Sequence, residues 1–369
     1  LSWIQPRCRP MPMPIRMEPT MSRRSMGRES SDADERPSAA DSAPIALALG
    51  DPAGIGAEVT LKALGQWQGR LPVVVVGCRH WLEEQHRLLR QCGCQELADP
   101  AELTIVDLPL ASAIAPGACG AASGAASFAW LSRAAELVLE GRCRALVTAP
   151  IAKANWHAAG HRYPGQTERL AEICGVERAS MLFTARSPSG GWRLNTLLAT
   201  THIPLAEVPL QLNASLVARQ LDRLLEFCRR FRPKPRLVVA GLNPHAGEAG
   251  HLGRDEVDWL GPCLEAWRQR HPEVVLEGPL PPDTCWLEAA EAWRGNVAGA
   301  DGYLALYHDQ GLIPVKLLAF DAAVNTTLGL PFLRTSPDHG TAFQIAGQGL
   351  ARPQSMAAAI AAALELSPA

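Results

Sequence analysis

Short apolar runs alternate with longer amphipathic stretches along most of this chain. Residues 45–49, 71–76, 103–106 and 145–148 are rich in Ile, Leu, Val and Ala, the pattern of strands buried on both faces of a parallel sheet. Between them, 57–64 has helix-like spacing, and 125–139 places Phe128, Leu131, Ala135 and Val138 three or four residues apart, which predicts helices. Runs at 194–200, 237–241 and 303–307 continue the pattern, with a long amphipathic stretch at 215–231. Regular strand–helix alternation implies an α/β fold of mostly parallel sheet with right-handed crossovers. The Ala-rich 342–366 is too small to stand alone and is expected to return to the first unit. No internal repeat is visible.

At 369 residues the chain is long enough for two domains. The expected division is 43–150 plus 335–369 as one domain and 151–334 as the other, around a cleft. Residues 1–42 combine seven arginines with many Ser, Pro and Met, have no apolar core of a signal sequence, and include Glu29, Asp32, Asp34 and Glu35; a disordered tail is expected there. A net charge of −2 with interspersed signs gives no electrostatic case for nucleic acid or a membrane surface, which favours a small neutral or anionic substrate. No apolar segment reaches the roughly 18 to 20 residues of a membrane span. The ten cysteines are scattered without a Cys-x-x-Cys framework and read as reduced, mostly structural thiols of a cytoplasmic protein. Cys92-Gly-Cys94 reads as a surface turn.

Three histidines stand out against this frame. His202, His245 and His308 each follow an apolar run and lie in a polar turn bearing Gly or Pro. Ligands of open α/β sheets bind at the carboxyl ends of strands, and imidazole is a common ligand for divalent ions. Each one alone reads better as a helix cap or a core hydrogen bonder; three in such similar settings favour a metal site.

The 50–56 loop joins a strand to a helix through Gly50, Gly54 and Gly56, a layout that can present backbone N–H groups to an anion. Its spacing is neither Gly-x-Gly-x-x-Gly nor that of a nucleotide-triphosphate loop, so a tight turn explains it as well. Asp51 is expected either to point into the same crevice as the histidines or to serve as a turn carboxylate. Lys316, Asn325 and Arg334, with Thr167 and Lys153 upstream, supply the cations and neutral donors that a phosphate monoester requires, although singly each also suits a solvated surface.

Seven motifs occur in a fixed order: Gly50-Asp-Pro-Ala-Gly-Ile-Gly56, Val147-Thr-Ala-Pro-Ile-Ala-Lys153, Gly165-Gln-Thr-Glu168, Thr200-Thr-His202, Gly241-Leu-Asn-Pro-His-Ala-Gly-Glu248, Tyr307-His-Asp-Gln-Gly311 and Ser336-Pro-Asp-His-Gly-Thr-Ala-Phe343. On them the chain, over about 44–366, resembles the PdxA family of 4-hydroxythreonine-4-phosphate dehydrogenases of pyridoxal phosphate biosynthesis, relatives of the isocitrate and isopropylmalate dehydrogenases. The resemblance implies that fold, a homodimer, and His202, His245 and His308 as ligands of a divalent ion (Zn, Mg, Co or Mn), with the third donated across the dimer interface. It further implies that Gln166, Thr167, Lys316, Asn325 and Arg334 hold the phosphorylated substrate. Gly50, Asp51, Gly54, Gly56, His339 and Gly340 would lie near NAD or NADP.

The implied reaction oxidises 4-phosphooxy-L-threonine at C3 and decarboxylates the β-keto acid to 3-amino-2-oxopropyl phosphate. Asp309 and Asp283 are candidates for orienting ligands or relaying the proton. The family usually has Gly-His-Thr-Glu where Gln166 stands here, and Gln344 and Gln348 replace an expected Asp and Lys; Gln166 can donate a hydrogen bond but cannot become cationic. A sister activity on 4-phosphothreonate or 4-phosphoerythronate would use the same metal, phosphate grip and nicotinamide. A three-histidine metal hydrolase is the alternative from another class, and it leaves the 336–343 segment without a role.

Overall fold

The apolar runs of the first part form strands close to where their pattern places them: β1 (Ile45–Ala48), β2 (Val73–Gly77), β3 (Thr104–Asp107) and β4 (Ala145–Thr148). In this computed structural model, residues 43–67 and 71–368 are described; the segment 1–42, expected as a disordered tail, lies outside the described residues. Seven further strands follow: β5 (Ser180–Arg186), β6 (Arg193–Leu198), β7 (Arg236–Ala240), β8 (Val275–Leu280), β9 (Gly302–Ala305), β10 (Val324–Leu328) and β11 (Leu333–Pro337). All join one eleven-stranded sheet in the order β3-β2-β1-β4-β11-β10-β5-β6-β9-β7-β8. Helices cover it, so the fold is α/β and mostly parallel. Among the described residues no helix is long and apolar enough to cross a membrane.

The middle of the sheet is antiparallel. β11 pairs parallel with β4 but antiparallel with β10, β10 antiparallel with β5, and β5 antiparallel with β6. Three reversals turn the direction around, so β6, β9, β7 and β8, parallel among themselves, run opposite to β1–β4 and β11. Asp51 after β1 and His202 after β6 therefore leave strands that point in opposite directions, which removes the expectation that one carboxyl-end crevice collects both.

The chain's two ends are stapled together. Glu58, buried in the Gly56–Gly65 helix, accepts from Lys62 Nζ at 2.7 Å and from the backbone N–H of Ala351 at 2.7 Å. Lys62 Nζ donates in turn to the carbonyls of Gly349 and Ala351 at 2.8 and 2.9 Å. The pair leads the chain into the Gln354–Leu366 helix, whose Met356, Ala359, Ile360 and Ala363 are fully buried. That helix packs on β4, β11 and the Gly56–Gly65 helix. The amphipathic 215–231 stretch is the Ala214–Arg229 helix, opened by Asn213, whose side chain accepts from the Leu216 N–H at 3.0 Å.

Candidate functional site

A cleft of about 610 Å³ opens over the antiparallel part of the sheet. Side chains two apart on a strand share a face, so Asn325 and Thr327 of β10 and Arg334 and Ser336 of β11 face the same way. The register confirms it, pairing Asn325 with Ser336 and Thr327 with Arg334. All four line the cleft, with Thr148 at the end of β4, Lys153, Gln166, Thr167, His202, His339 and Gly340.

Arg334 is its most informative residue. It is 4% exposed, and its hydrogen bonds go to neutral oxygens: Nε and Nη2 donate to Thr148 Oγ1 at 3.1 and 2.7 Å, Nη1 to Thr327 Oγ1 at 3.1 Å, and Nη2 to Gln166 Oε1 at 3.0 Å. Burial lowers its pKa to about 10, opposed by the nearby Glu168 carboxylate, so the group is still a cation at neutral pH. A buried guanidinium with no bonded carboxylate is costly unless an anion completes it. Thr148 and Thr327, its partners, were not singled out from the sequence; the period-two spacing of polar residues in β10 and β11 is the signal that would have found Thr327.

Lys316 differs. It lies on the His308–Ala319 helix and its Nζ pairs with Asp338, so its charge is compensated, in contrast to Arg334.

His202 and His308 leave adjacent parallel strands, β6 and β9, and their rings lie 5.4 Å apart, centroid to centroid. The loss of water at the cleft wall, then the nearby His308 and Lys153, hold the His202 imidazole below its usual pKa, with Glu168 opposing. It is therefore a neutral donor at pH 7. His308 Nδ1 lies 2.7 Å from Asp309 Oδ1, which leaves its other nitrogen for a ligand. An ion at about 2.1 Å from two imidazole nitrogens sets the ring centroids roughly 5 Å apart, so the pair fits a divalent ion with little movement.

His245 does not join them. Among the described residues no group of three or more His, Cys, Asp or Glu side chains is placed to hold a metal. His245 is exposed on the loop after β7, where His245, Ala246, Gly247, Glu248 and Ala249 have φ of 53°, 53°, 78°, 43° and 55°. Such a left-handed turn costs about 1–2 kcal/mol per non-glycine residue. Gln310 ties this loop to the His308 side: its Nε2 donates to the Gly241 carbonyl at 2.7 Å while its Oε1 accepts from the Leu306 N–H at 2.7 Å. Asp283 stands exposed in the turn after β8, beyond β7 from the His202–His308 pair.

The 50–56 loop is a packed turn. Gly50 has φ +73°, and a Cβ there would lie 2.4 Å from the Pro150 carbonyl; at Gly56 it would lie 2.1 Å from the Leu49 carbonyl. Gly54 approaches Thr341, and the Ile55 N–H donates to the Thr341 carbonyl at 3.0 Å. Protein atoms thus explain these glycines. Asp51 is fully buried and does not open into the cleft: Oδ1 accepts from the Ala53 N–H at 2.9 Å and Oδ2 from Asn155 Nδ2 at 2.8 Å, so it is a turn carboxylate. His339 differs: its Nε2 is buried without a partner, and the adjacent Gly340 has open space where a Cβ would be.

The chain matches the family model described as "Pyridoxal phosphate biosynthetic protein PdxA" over residues 70–363. It is 65% identical over 325 residues to the 4-hydroxythreonine-4-phosphate dehydrogenase of Synechococcus sp. (strain RCC307), covering 87% of this chain and 99% of that one. A second relative of the same name from Synechococcus sp. (strain JA-3-3Ab) is 55% identical over 332 residues, 88% and 94% of the two chains. The crystal structure of 4-hydroxythreonine-4-phosphate dehydrogenase from Klebsiella pneumoniae superposes with a TM-score of 0.75 at 38% identity, covering 88% of this chain and 98% of that one.

Proposed function

Because this chain belongs to the PdxA family of pyridoxal phosphate biosynthetic proteins, and is an oxidoreductase of the 4-hydroxythreonine-4-phosphate dehydrogenase type, we propose that it oxidises 4-phosphooxy-L-threonine at C3. NAD or NADP takes the hydride, the hydroxyl proton leaves to solvent through the cleft, the C1–C2 bond of the β-keto acid breaks to release CO₂, and the enolate left behind takes a proton from solvent at C2 to give 3-amino-2-oxopropyl phosphate. The observation that carries this reading is Arg334, a buried cation bonded only to neutral oxygens in the same cleft as His202.

In this reading Arg334 receives the substrate phosphate, with Thr167 and Asn325, which line the same cleft, and Lys316 from the helix that begins at His308. Gln166 orients the guanidinium from behind. His202 and His308 of one chain, with the partner subunit's His245, hold a divalent ion. When bound, that ion lowers the pKa of the C3 hydroxyl and stabilises negative charge on the oxygen during oxidation and decarboxylation. Asp309 keeps His308 turned for this task. Residues 43–150 with 335–369 would seat the dinucleotide near His339 and Gly340, and 151–334 the metal and substrate.

A second copy is supported by apolar surface beside both histidines. The turn after His202 exposes Leu205 and Leu210, 70% and 82%; the helix starting at His308 exposes Ile313 and Leu317, 60% and 80%, with Phe320 just beyond it at 64%. The nine described cysteines are free thiols, which suits a cytoplasmic setting.

Purified protein with 4-phosphooxythreonine and NAD⁺ or NADP⁺ should produce NADH or NADPH, and a chelator should stop it. Nicotinamide reduction with 4-phosphothreonate alone would replace the proposed substrate by its sister acid. Product formed without any nicotinamide would overturn dehydrogenation altogether.

A further inference from the structure

His245 stands on a turn that its own sequence does not favour. Ala246, Glu248 and Ala249 hold positive φ without being glycine or asparagine, so contacts outside the turn must hold them there. The partner in position to do so is Glu256, 5% exposed behind the loop. Its Oε1 accepts from the backbone N–H groups of Leu242 and Asn243 at 2.7 and 2.8 Å, and its Oε2 from Asn243 Nδ2 at 3.0 Å. Asn243 Nδ2 also donates to Asp255 Oδ2 at 2.9 Å.

Gly247 closes the other side, where a Cβ would lie 2.6 Å from Glu256 Oε2 and 2.7 Å from the Gly253 carbonyl. A Cβ on Gly253 would in turn fall 2.3 Å from Asn243 Cγ. The carboxylate is thus packed between the start of the loop and the middle of the left-handed turn. Only an acceptor at both oxygens satisfies the set: a glutamine would aim an N–H₂ donor at Asn243 Nδ2, already committed as a donor to Asp255. Nothing in the loop's own sequence signals this, since Glu256 lies eleven residues after His245.

Resting on the reading that the partner subunit's His245 completes the metal site, we propose that Glu256 is a positioning residue that presets the left-handed turn, so that each chain offers His245 to the other at a fixed place before the ion arrives. Groups that orient a metal ligand typically change metal affinity by about 10- to 100-fold.

The test is Zn²⁺ titration of the chelator-stripped dimer against a competing chromophoric chelator, with the Co²⁺ absorption spectrum as a second readout. Glu256→Ala should weaken Zn²⁺ binding by at least about tenfold and alter the Co²⁺ spectrum, while adding no further loss in a His245→Ala background. Should Glu256→Ala fail to fold, Glu256→Gln, which keeps the Oε1 acceptor, serves instead and should also weaken binding. Wild-type Zn²⁺ affinity in the Glu256 variants, with His245→Ala impaired, overturns the positioning role alone; so does a Glu256 effect that adds fully to His245→Ala, which marks general damage. Wild-type affinity in His245→Ala overturns the three-histidine site itself.

Discussion

Arg334 Nη2 donates to Gln166 Oε1 at 3.0 Å, while Gln166 Nε2 donates to the Ala149 carbonyl at 3.0 Å. Both ends of the amide are committed: arginine can only donate and a carbonyl can only accept. A neutral imidazole also has one acceptor and one donor, so the glutamine preserves the pattern of the histidine expected at this position. Gln166→Ala leaves the Ala149 carbonyl and one guanidinium N–H without their partner, worth about 1–3 kcal/mol. KM for the phosphorylated substrate should rise about tenfold with kcat little changed, and Gln166→His should restore it at pH 8, where imidazole is neutral. Steady-state kinetics of the three proteins decides this.

Removing the cation itself tests the phosphate grip. Arg334→Met should lower kcat/KM for the phosphorylated substrate by about 100-fold or more, since charge-assisted hydrogen bonds are worth about 1.5–3 kcal/mol each. The melting temperature of the ligand-free protein should not fall, because the variant removes an uncompensated buried charge. A large drop in melting temperature together with unchanged kinetics would mean that Arg334 is a structural residue.

If the metal site is shared, two inactive variants should rescue one another. His308→Ala removes a ligand from one chain's pair and His245→Ala the ligand it offers to the other. Unfolded together and refolded in equal amounts, half of the dimers are mixed, and each mixed dimer holds one complete site. About a quarter of wild-type activity should return. A site contained within one chain predicts none.

The apolar face on the helix that begins with His308 predicts how the copies meet. Leu317→Glu and Phe320→Glu place a charge on residues that are 80% and 64% exposed in the single chain. Each should shift the protein from dimer to monomer at micromolar concentration, as read by light scattering, and abolish turnover. A variant that stays dimeric and active would move the interface elsewhere.

Thiol chemistry follows from burial. Desolvation pushes the Cys285 thiol up to about 12 and raises Cys228 well above its usual value, so neither is a thiolate at pH 8. Iodoacetamide at that pH should label the exposed Cys92 and Cys119 and spare both buried thiols, as peptide mass mapping would report. The linkage has a definite sign: a raised folded-state pKa stabilises the native protein below the free-thiol value of 9.0 and is lost as pH rises toward about 12. Alkaline unfolding should therefore expose Cys285 to alkylation.

Local periodicity and turn chemistry marked β1, β2, β4, β7 and β9, because their runs of Val, Leu, Ile and Ala answer to burial on both faces, a property each segment carries by itself. The histidines could be found for the same reason, each standing where an apolar run gives way to a turn. β10 and β11 escaped that reading: Asn325, Thr327, Arg334 and Ser336 turn polar groups into the cleft and break the apolar pattern that announces a strand. What made Arg334 informative was decided only in three dimensions, since its burial and its neutral partners Thr148, Thr327 and Gln166 come from segments up to 186 residues away. The same holds for direction. Whether Asp51 and His202 share a crevice depends on three antiparallel pairings between β11 and β6, and a backbone strand carries the same donors and acceptors whichever way its neighbour runs.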